Sequence, residues 1–425
     1  MRALGKVGGL AVLADKERRA AFGRLLGRTA QVGFQAQVAA GRAFARRQGT
    51  DAPTRLEPGR RPRIFDLTPT EDQEMFRQAA AELADEMLRP AGKAADTERA
   101  VPAEVAAAGA EMGLALLGVP ESLGGVAEEA SAVTSVLVLE ELARGDMGLA
   151  VGLMATGAVA TALSLYGSSD QQATYLPHFT GDSPVRAAAL AIQEPQPLFD
   201  PLAPRTVATR DGDTLVLNGT KALVAAAVHA ELFVVSALVD DEPRLVIVEA
   251  NAGGLMVEDD PAMGVRATNT GRLLLTDVRV PPAQLLGTTT DHLDAVRRAR
   301  LAWCALAVGT GQAVLDQVRG YVVERKAFGE PIGHRQAVAF MVSDIAIELA
   351  GLRLATWRAA ARLDAGKDAA AQVAQARSLT SRYAAQIGSH AVQLLGGHGF
   401  VKEFDNERWF RDLRGAGLLE GVLLV

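Results

Sequence analysis

Apolar residues recur every third or fourth position from about residue 70 to 185. "FRQAAAELADEML", "EVAAAGAEMGLALLG" and "TSVLVLEELA" are such runs, and that spacing predicts amphipathic helices. Thr68-Pro69-Thr70-Glu71-Asp72-Gln73 offers an N-cap followed by acidic residues, so the first helix starts there. Turn clusters such as "PESLGG" and "YGSSDQQ" separate the runs. Between about 187 and 285 the period changes. Short β-rich runs ("RTVATR", "TLVLNGTK", "ELFVVSALV", "RLVIVEA", "GLMVED", "RLLLTDVRV") alternate with turns, and Asp211-Gly212-Asp213 reads as a tight hairpin. From about 290 to 396 long helical patterns return, each long enough for a bundle helix. The pattern predicts a mainly helical protein with a middle antiparallel β domain. Its expected parts are an extension and linker (1–65), a helical domain (66–186), the β domain (187–288) and a helical bundle (289–425).

Composition refines this picture. Aromatics are only 5% while apolar residues reach 49%, so the core is built from Ala, Leu and Val, of which Ala and Leu favour helix. The single cysteine, Cys304, can form no internal disulfide, which fits a reducing cytoplasm. It sits on an apolar helix face and reads as core. No apolar run reaches roughly 18 residues, so no membrane span is expected. Charge is uneven: 14 Lys or Arg against 4 Asp or Glu through Arg63, on a chain whose net charge is −6. The basic arm over residues 1–62 admits several readings: a loose extension, a docking element, a transit peptide or a peripheral membrane contact. The acidic body argues against nucleic acid. The six histidines show no metal-ligand spacing, and no metal is expected.

The chemistry concentrates near the end, in "LLEGVLLV", where one carboxylate, Glu420, stands among apolar residues and glycine. An ionised carboxylate that loses water becomes harder to charge. This describes either a helix edge turned to solvent or a base tuned toward neutral pH. Upstream, "ERKAFGEPIGHRQAV" (Glu324–Val338), "QLLGGHGFVKEFDNERWFRDLR" (Gln393–Arg414), "LLLTDVRVPPAQLLG" (Leu273–Gly287) and "GVPESLGG" (Gly118–Gly125) are the most specific segments. In order and spacing they resemble the acyl-CoA dehydrogenase family from about residue 66 to the end.

That resemblance implies an N-terminal helical domain, a middle β domain, a C-terminal four-helix bundle, FAD as cofactor and a homodimer or tetramer. It implies α,β-dehydrogenation of an acyl-CoA thioester: a carboxylate takes the α-proton, the β-hydrogen leaves as hydride to the flavin, and electrons pass to an electron-transferring flavoprotein. The family's base follows an Arg-Asp pair, nine residues after the Arg. Here Arg411-Asp412 precedes Glu420-Gly421 at that spacing, so Glu420 is the implied base. The family uses the backbone N–H of that Glu, with a flavin ribityl hydroxyl, to stabilise the enolate oxygen. Arg325 and Phe328 match the pyrophosphate-binding Arg and its packing Phe; Gln336, Gln393, Gly396 and Gly397 match further FAD contacts, often made to the cofactor of a neighbouring subunit. Arg300 matches an Arg on the channel-lining helix, with a CoA contact, an orienting role and a structural ion pair all open.

Two flavin-facing stretches depart from the family pattern. Gln193-Glu194-Pro195-Gln196-Pro197-Leu198-Phe199-Asp200 replaces Thr-Glu-Pro-Gly-Ala-Gly-Ser-Asp, and Lys221-Ala222-Leu223-Val224-Ala225-Ala226-Ala227 replaces Lys-x-Trp-Ile-Thr-Asn-Gly. Gln193 and Ala225 thus stand at flavin-contact positions, and Val422 replaces the Thr or Ser after the Glu-Gly pair. An acyl-CoA dehydrogenase with an atypical flavin wall is one reading. A non-catalytic or half-site subunit that serves a related chain is the alternative.

Overall fold

The computed structural model describes residues 67–180 and 187–425. The basic arm and the readings attached to it lie outside the described residues. Thr70 caps the first helix, α1 (Glu71–Leu83), by accepting from the Gln73 amide at 3.2 Å while the Gln73 side chain accepts from the Thr70 amide. This reciprocal box satisfies two donors that a helix start leaves free. A π turn at Ala84–Leu88 leads into α2 (Arg89–Glu98). The first helical layer is completed by α3 (Ala103–Glu111), α4 (Ala132–Gly145), α5 (Met147–Tyr166), α6 (Ser169–Tyr175) and α7 (Pro177–Thr180).

Helix α5 corrects one expectation. Its 20 residues carry no charge, and their mean hydropathy of 1.7 meets the length and composition of a membrane span. Glycine, Thr and Ser interrupt the strictly apolar run and hide it. Yet 72% of this window is buried inside the protein, which makes α5 a core helix. Asp146 caps it, its carboxylate accepting from the Leu149 amide.

Strands β1 (Ala188–Ala191), β2 (Val207–Arg210), β3 (Leu215–Val224), β4 (Leu232–Val239), β5 (Glu242–Glu249), β6 (Leu255–Asp259), β7 (Gly271–Val280) and β8 (Leu285–Leu286) form one sheet. Its order is β6-β7-β3-β2-β4-β5-β8, with β1 pairing β4 in parallel. Most pairings are antiparallel; β2 also runs parallel to β4. Asp211–Thr214 forms the β2–β3 turn, where Gly212 takes φ +60°, a conformation costly for most other residues.

The second helical layer holds α8 (Thr289–Glu324), α9 (Gln336–Asp364), α10 (Ala370–Leu395) and α11 (Asn406–Ala416), with a two-stranded ribbon of β9 (Lys326–Ala327) and β10 (Glu330–Pro331) after α8. Over the middle of α8, Leu301–Gly311 is buried on every side. It is therefore a central strut of the second layer, and its residues reach both the sheet and the chain that follows α11.

Candidate active site

Chain after α11 turns inward. Leu418 and Leu419 amides both bond the Gly415 carbonyl at 2.9 Å, which closes the helix and aims Glu420 into the protein. Glu420 is 7% exposed, so water is largely excluded from its carboxylate. Arg300 of α8 grips that carboxylate as a fork: Nη2 donates to Oε1 at 2.8 Å and Nε to Oε2 at 2.9 Å. The guanidinium fork matches carboxylate geometry, so it fixes orientation as well as charge. The hydrogen bonds that Arg300 donates to Glu420 raise its pKa, so the guanidinium stays charged here. Of the three roles open for Arg300, the structure shows an ion pair with Glu420.

Arg377 of α10 is the second clamp. Its guanidinium donates to the Ala416 carbonyl, to the Leu419 carbonyl at 2.7 Å, and lies 3.5 Å from Glu420 Oε1. Sequence reasoning missed this residue. The signal was present: Val373, Ala376 and Thr380 mark the buried stripe of α10, and a basic residue beside it has to meet an acceptor.

The backbone around Glu420 is equally constrained. The Glu420 N–H donates to Gln193 Oε1 at 2.8 Å, and the Trp303 indole N–H donates to the Gly421 carbonyl at 3.1 Å. Gly421 has φ +73°, and a Cβ there would meet the Ile192 Cβ at 2.8 Å, so glycine is required twice over. Val422 follows at φ +67°, a strained conformation for a β-branched residue. Val422, Leu423, Leu424 and Val425 are all buried, and Arg298 Nη1 bonds the Val425 carbonyl at 2.6 Å. Leu424 packs in a cluster with Ile192, Val296 and Ala299.

Gln193 itself rides on a rigid base. Its carbonyl accepts from the Ala222 amide at 3.0 Å. The next residue, Glu194, is buried and accepts from Lys221 Nζ (2.8 Å), both the amide and hydroxyl of Thr206, the Arg205 amide and the Gln196 side chain. Burial opposes this carboxylate's charge, but Lys221 and the hydrogen bonds prevail and hold it down at about 2. Burial draws Lys221 down to about 8 despite its partner. Ala225 lies just past β3, 3% exposed, and offers only a methyl group. Cys304 is fully buried, and burial lifts its thiol to about 11, so it is core as expected.

A second group of residues lies apart. Arg325, Gln393, Gly396 and Gly397 line one cleft of about 340 Å³ with Tyr321 and His398. The Tyr321 hydroxyl and His398 Nδ1 are 2.9 Å apart, and His398 stacks on Phe404, which shapes that wall. Arg325 is exposed, and its guanidinium has no partner among the described residues. A Cβ at Gly396 or Gly397 would meet nothing within 4 Å. Phe328 and Gln336 are exposed and stand outside the lining of this cleft. The Phe328 ring lies under Arg335, 4.9 Å from its guanidinium carbon, and this corrects the expected packing on Arg325.

Comparison with known proteins accounts for this arrangement of helices, sheet and helices. The N-terminal, middle and C-terminal domains of acyl-CoA dehydrogenase match residues 70–182, 189–278 and 292–423. The chain therefore belongs to the acyl-CoA dehydrogenase family. It is 30% identical to mitochondrial isobutyryl-CoA dehydrogenase of Dictyostelium discoideum over 364 residues, covering 83% of this chain and 86% of that one. It resembles the solved butyryl-CoA dehydrogenase of Megasphaera elsdenii with TM-score 0.77 and 25% identity, over 84% of this chain and 96% of the other. The FAD complex of PigA matches with the same TM-score, identity and coverage.

Proposed function

We propose that this chain oxidises short acyl-CoA thioesters across Cα–Cβ, with Glu420 as the base. The chain is an enzyme of the acyl-CoA dehydrogenase class, and FAD is its cofactor. The residues present fit the dinucleotide end of FAD: an Arg325 guanidinium unpaired among the described residues, Gln393 and open glycine backbone at 396 and 397 line one cleft. Arg suits pyrophosphate because its fork binds two oxygens at once. FAD, when bound, accepts the hydride from Cβ.

The chain's own residues supply the rest. Glu420 Oε1 receives Arg300 and Arg377, whereas Oε2 receives only the Arg300 Nε. A carboxylate oxygen has two lone pairs, so Oε2 keeps one for the α-proton. Arg300 holds the carboxylate in one orientation where little water reaches it. The Glu420 N–H is placed to receive the thioester oxygen as enolate charge develops there, and a preorganised donor in a dry site is effective at that task. The observation that carries this reading is the buried Glu420 carboxylate, oriented by Arg300, with the Glu420 N–H donating to a side chain and not to the backbone.

Four-carbon acyl groups in the names of two relatives support a short substrate. An electron-transferring flavoprotein is the expected acceptor, as in the family. A second copy of the chain suits the outer face of α9, where Phe340, Ile347 and Leu354 stand more than half exposed at seven-residue intervals. Burying three such side chains is worth roughly 1.5–3 kcal/mol each. Introducing Ile347→Asp should convert an oligomer to a smaller species in light scattering; a wild-type monomer removes the proposal.

The test of function is spectral. The full chain, purified with FAD, should be yellow and bleach on anaerobic addition of butyryl-CoA. A colourless chain that takes up FAD only with a related subunit would support the half-site alternative, and a yellow chain that no acyl-CoA bleaches would reject the assigned reaction.

A further inference from the structure

The Glu420 N–H has a hydrogen-bond partner already. Gln193 Oε1 lies 2.8 Å from the Glu420 nitrogen and so takes up the donor that an acyl carbonyl would need. We infer that Gln193 is a resident stand-in for the thioester carbonyl, a side chain that the substrate must displace to reach its own donor. This rests on the reading of Glu420 as the base.

Three observations support displacement over a fixed brace. The main chain on both sides is locked, by the Ala222–Gln193 bond and by the saturated carboxylate of Glu194, so any motion is confined to the Gln193 side chain. That side chain is only half-buried, and its Nε2 has no partner among the described residues, so leaving costs it one hydrogen bond. Glu420 does not depend on Gln193 for its position. Arg300, Arg377 and Trp303 hold its carboxylate and the carbonyls on either side of it. The amide of Gln193 is a carbonyl of similar size and polarity to a thioester, and it satisfies a half-buried N–H that an empty site would leave bare. Its cost appears as competition: each substrate carbonyl replaces an existing bond instead of filling a vacancy. Gln193 is thus a positioning residue that tunes affinity for the carbonyl.

Binding of two CoA derivatives to the FAD-loaded full chain tests this. Acetyl-CoA carries the carbonyl but no β-hydrogen, so its affinity can be read without turnover. S-ethyl-CoA is the matching thioether without the carbonyl. In Gln193→Met and Gln193→Ala, acetyl-CoA should bind about fivefold tighter than to wild type, the size expected when a competitor worth one neutral hydrogen bond is removed. The thioether should bind all three proteins alike. Flavin content and melting temperature report whether each variant is intact, and Met keeps most of the Gln volume. Unchanged or weaker acetyl-CoA binding in both intact variants would overturn the inference, as would an equal gain for the thioether. Failure here leaves the function standing if wild type still oxidises butyryl-CoA. Loss of that oxidation with tighter acetyl-CoA binding would remove the base and keep the stand-in.

Discussion

The Glu420 turn and the Arg325 cleft are built on opposite principles. Around Glu420 the polar groups are answered within the chain: Arg300 and Arg377 meet the carboxylate, Gln193 the amide, Trp303 the next carbonyl. Around Arg325 the Gln393 side chain and the glycines at 396 and 397 are exposed, and the guanidinium has no partner among the described residues. Burying a charge is costly unless it is paired, so the inner site has to be complete before any ligand arrives. An exposed guanidinium carries no such cost and can wait for phosphate. The difference separates a site that performs chemistry from one that holds a cofactor, and variants in the two should fail differently.

The largest effect should come from Glu420→Gln. Losing the proton acceptor should lower kcat for butyryl-CoA by about 10²–10⁴-fold, the usual range for a positioned base. The glutamine can still accept from Arg300, so FAD content should match wild type by absorbance. A variant that keeps its rate would show that another group takes the proton. A variant that loses its flavin would show that the two regions are not separable.

Arg325→Ala sharpens the contrast from the other side. Charge-assisted bonds to pyrophosphate are worth roughly 1.5–3 kcal/mol, so FAD should bind about ten- to a hundredfold more weakly. Saturating FAD should restore kcat, because Glu420 and its partners are untouched. Fluorescence titration of the apoprotein with FAD reads the first effect. Unchanged FAD affinity would remove Arg325 from the cofactor site.

Local order is largely legible in the sequence. Alternation in "TLVLNGTK" locates β3, the Thr70 box locates the first helix, and Asp211-Gly212-Asp213 locates its hairpin, because each signal lies within a few residues of its effect. Glu420 stands out only through its spacing from Arg411-Asp412; its own surroundings favour no reading. What stays hidden is long-range. Arg300 is 120 residues from Glu420 and Gln193 is 227, and no periodicity encodes which of many polar side chains will meet. Gln193 reads from the sequence as a flavin-facing substitution, and its bond to the Glu420 amide emerges only in three dimensions. Arg377 escapes notice because a basic residue on an alanine-rich helix is usually solvated. Helix α5 misleads because small polar residues break an apolar run without adding charge.

A variant away from the reacting groups tests, through stability instead of rate, how far the sealed character of the inner region extends. Asp412, on α11 eight residues before Glu420, is fully interior and accepts from the Val265 amide at 2.6 Å. Burial, and then the charge of Asp146, push its carboxyl up to about 7. An unfolded aspartate titrates near 4. Between about pH 4 and 7 the folded protein therefore holds a proton that the unfolded chain has released. This contribution to stability is greatest at the acidic end and is lost as pH rises through the window, at up to about 1.4 kcal/mol per pH unit. His292 acts in the opposite sense: burial lowers it to about 4, so the unfolded chain binds its proton first and stability from that group falls with acidification. The two trends partly cancel in wild type. The informative quantity is the difference between wild type and Asp412→Asn, which keeps an acceptor for Val265 and cannot titrate. Denaturant midpoints across this range should show the Asp412→Asn variant gaining on wild type as pH rises from about 4 to 7. Parallel curves would mean that Asp412 is ionised throughout, and that the paired charge around Glu420 extends further along α11 than its burial alone implies.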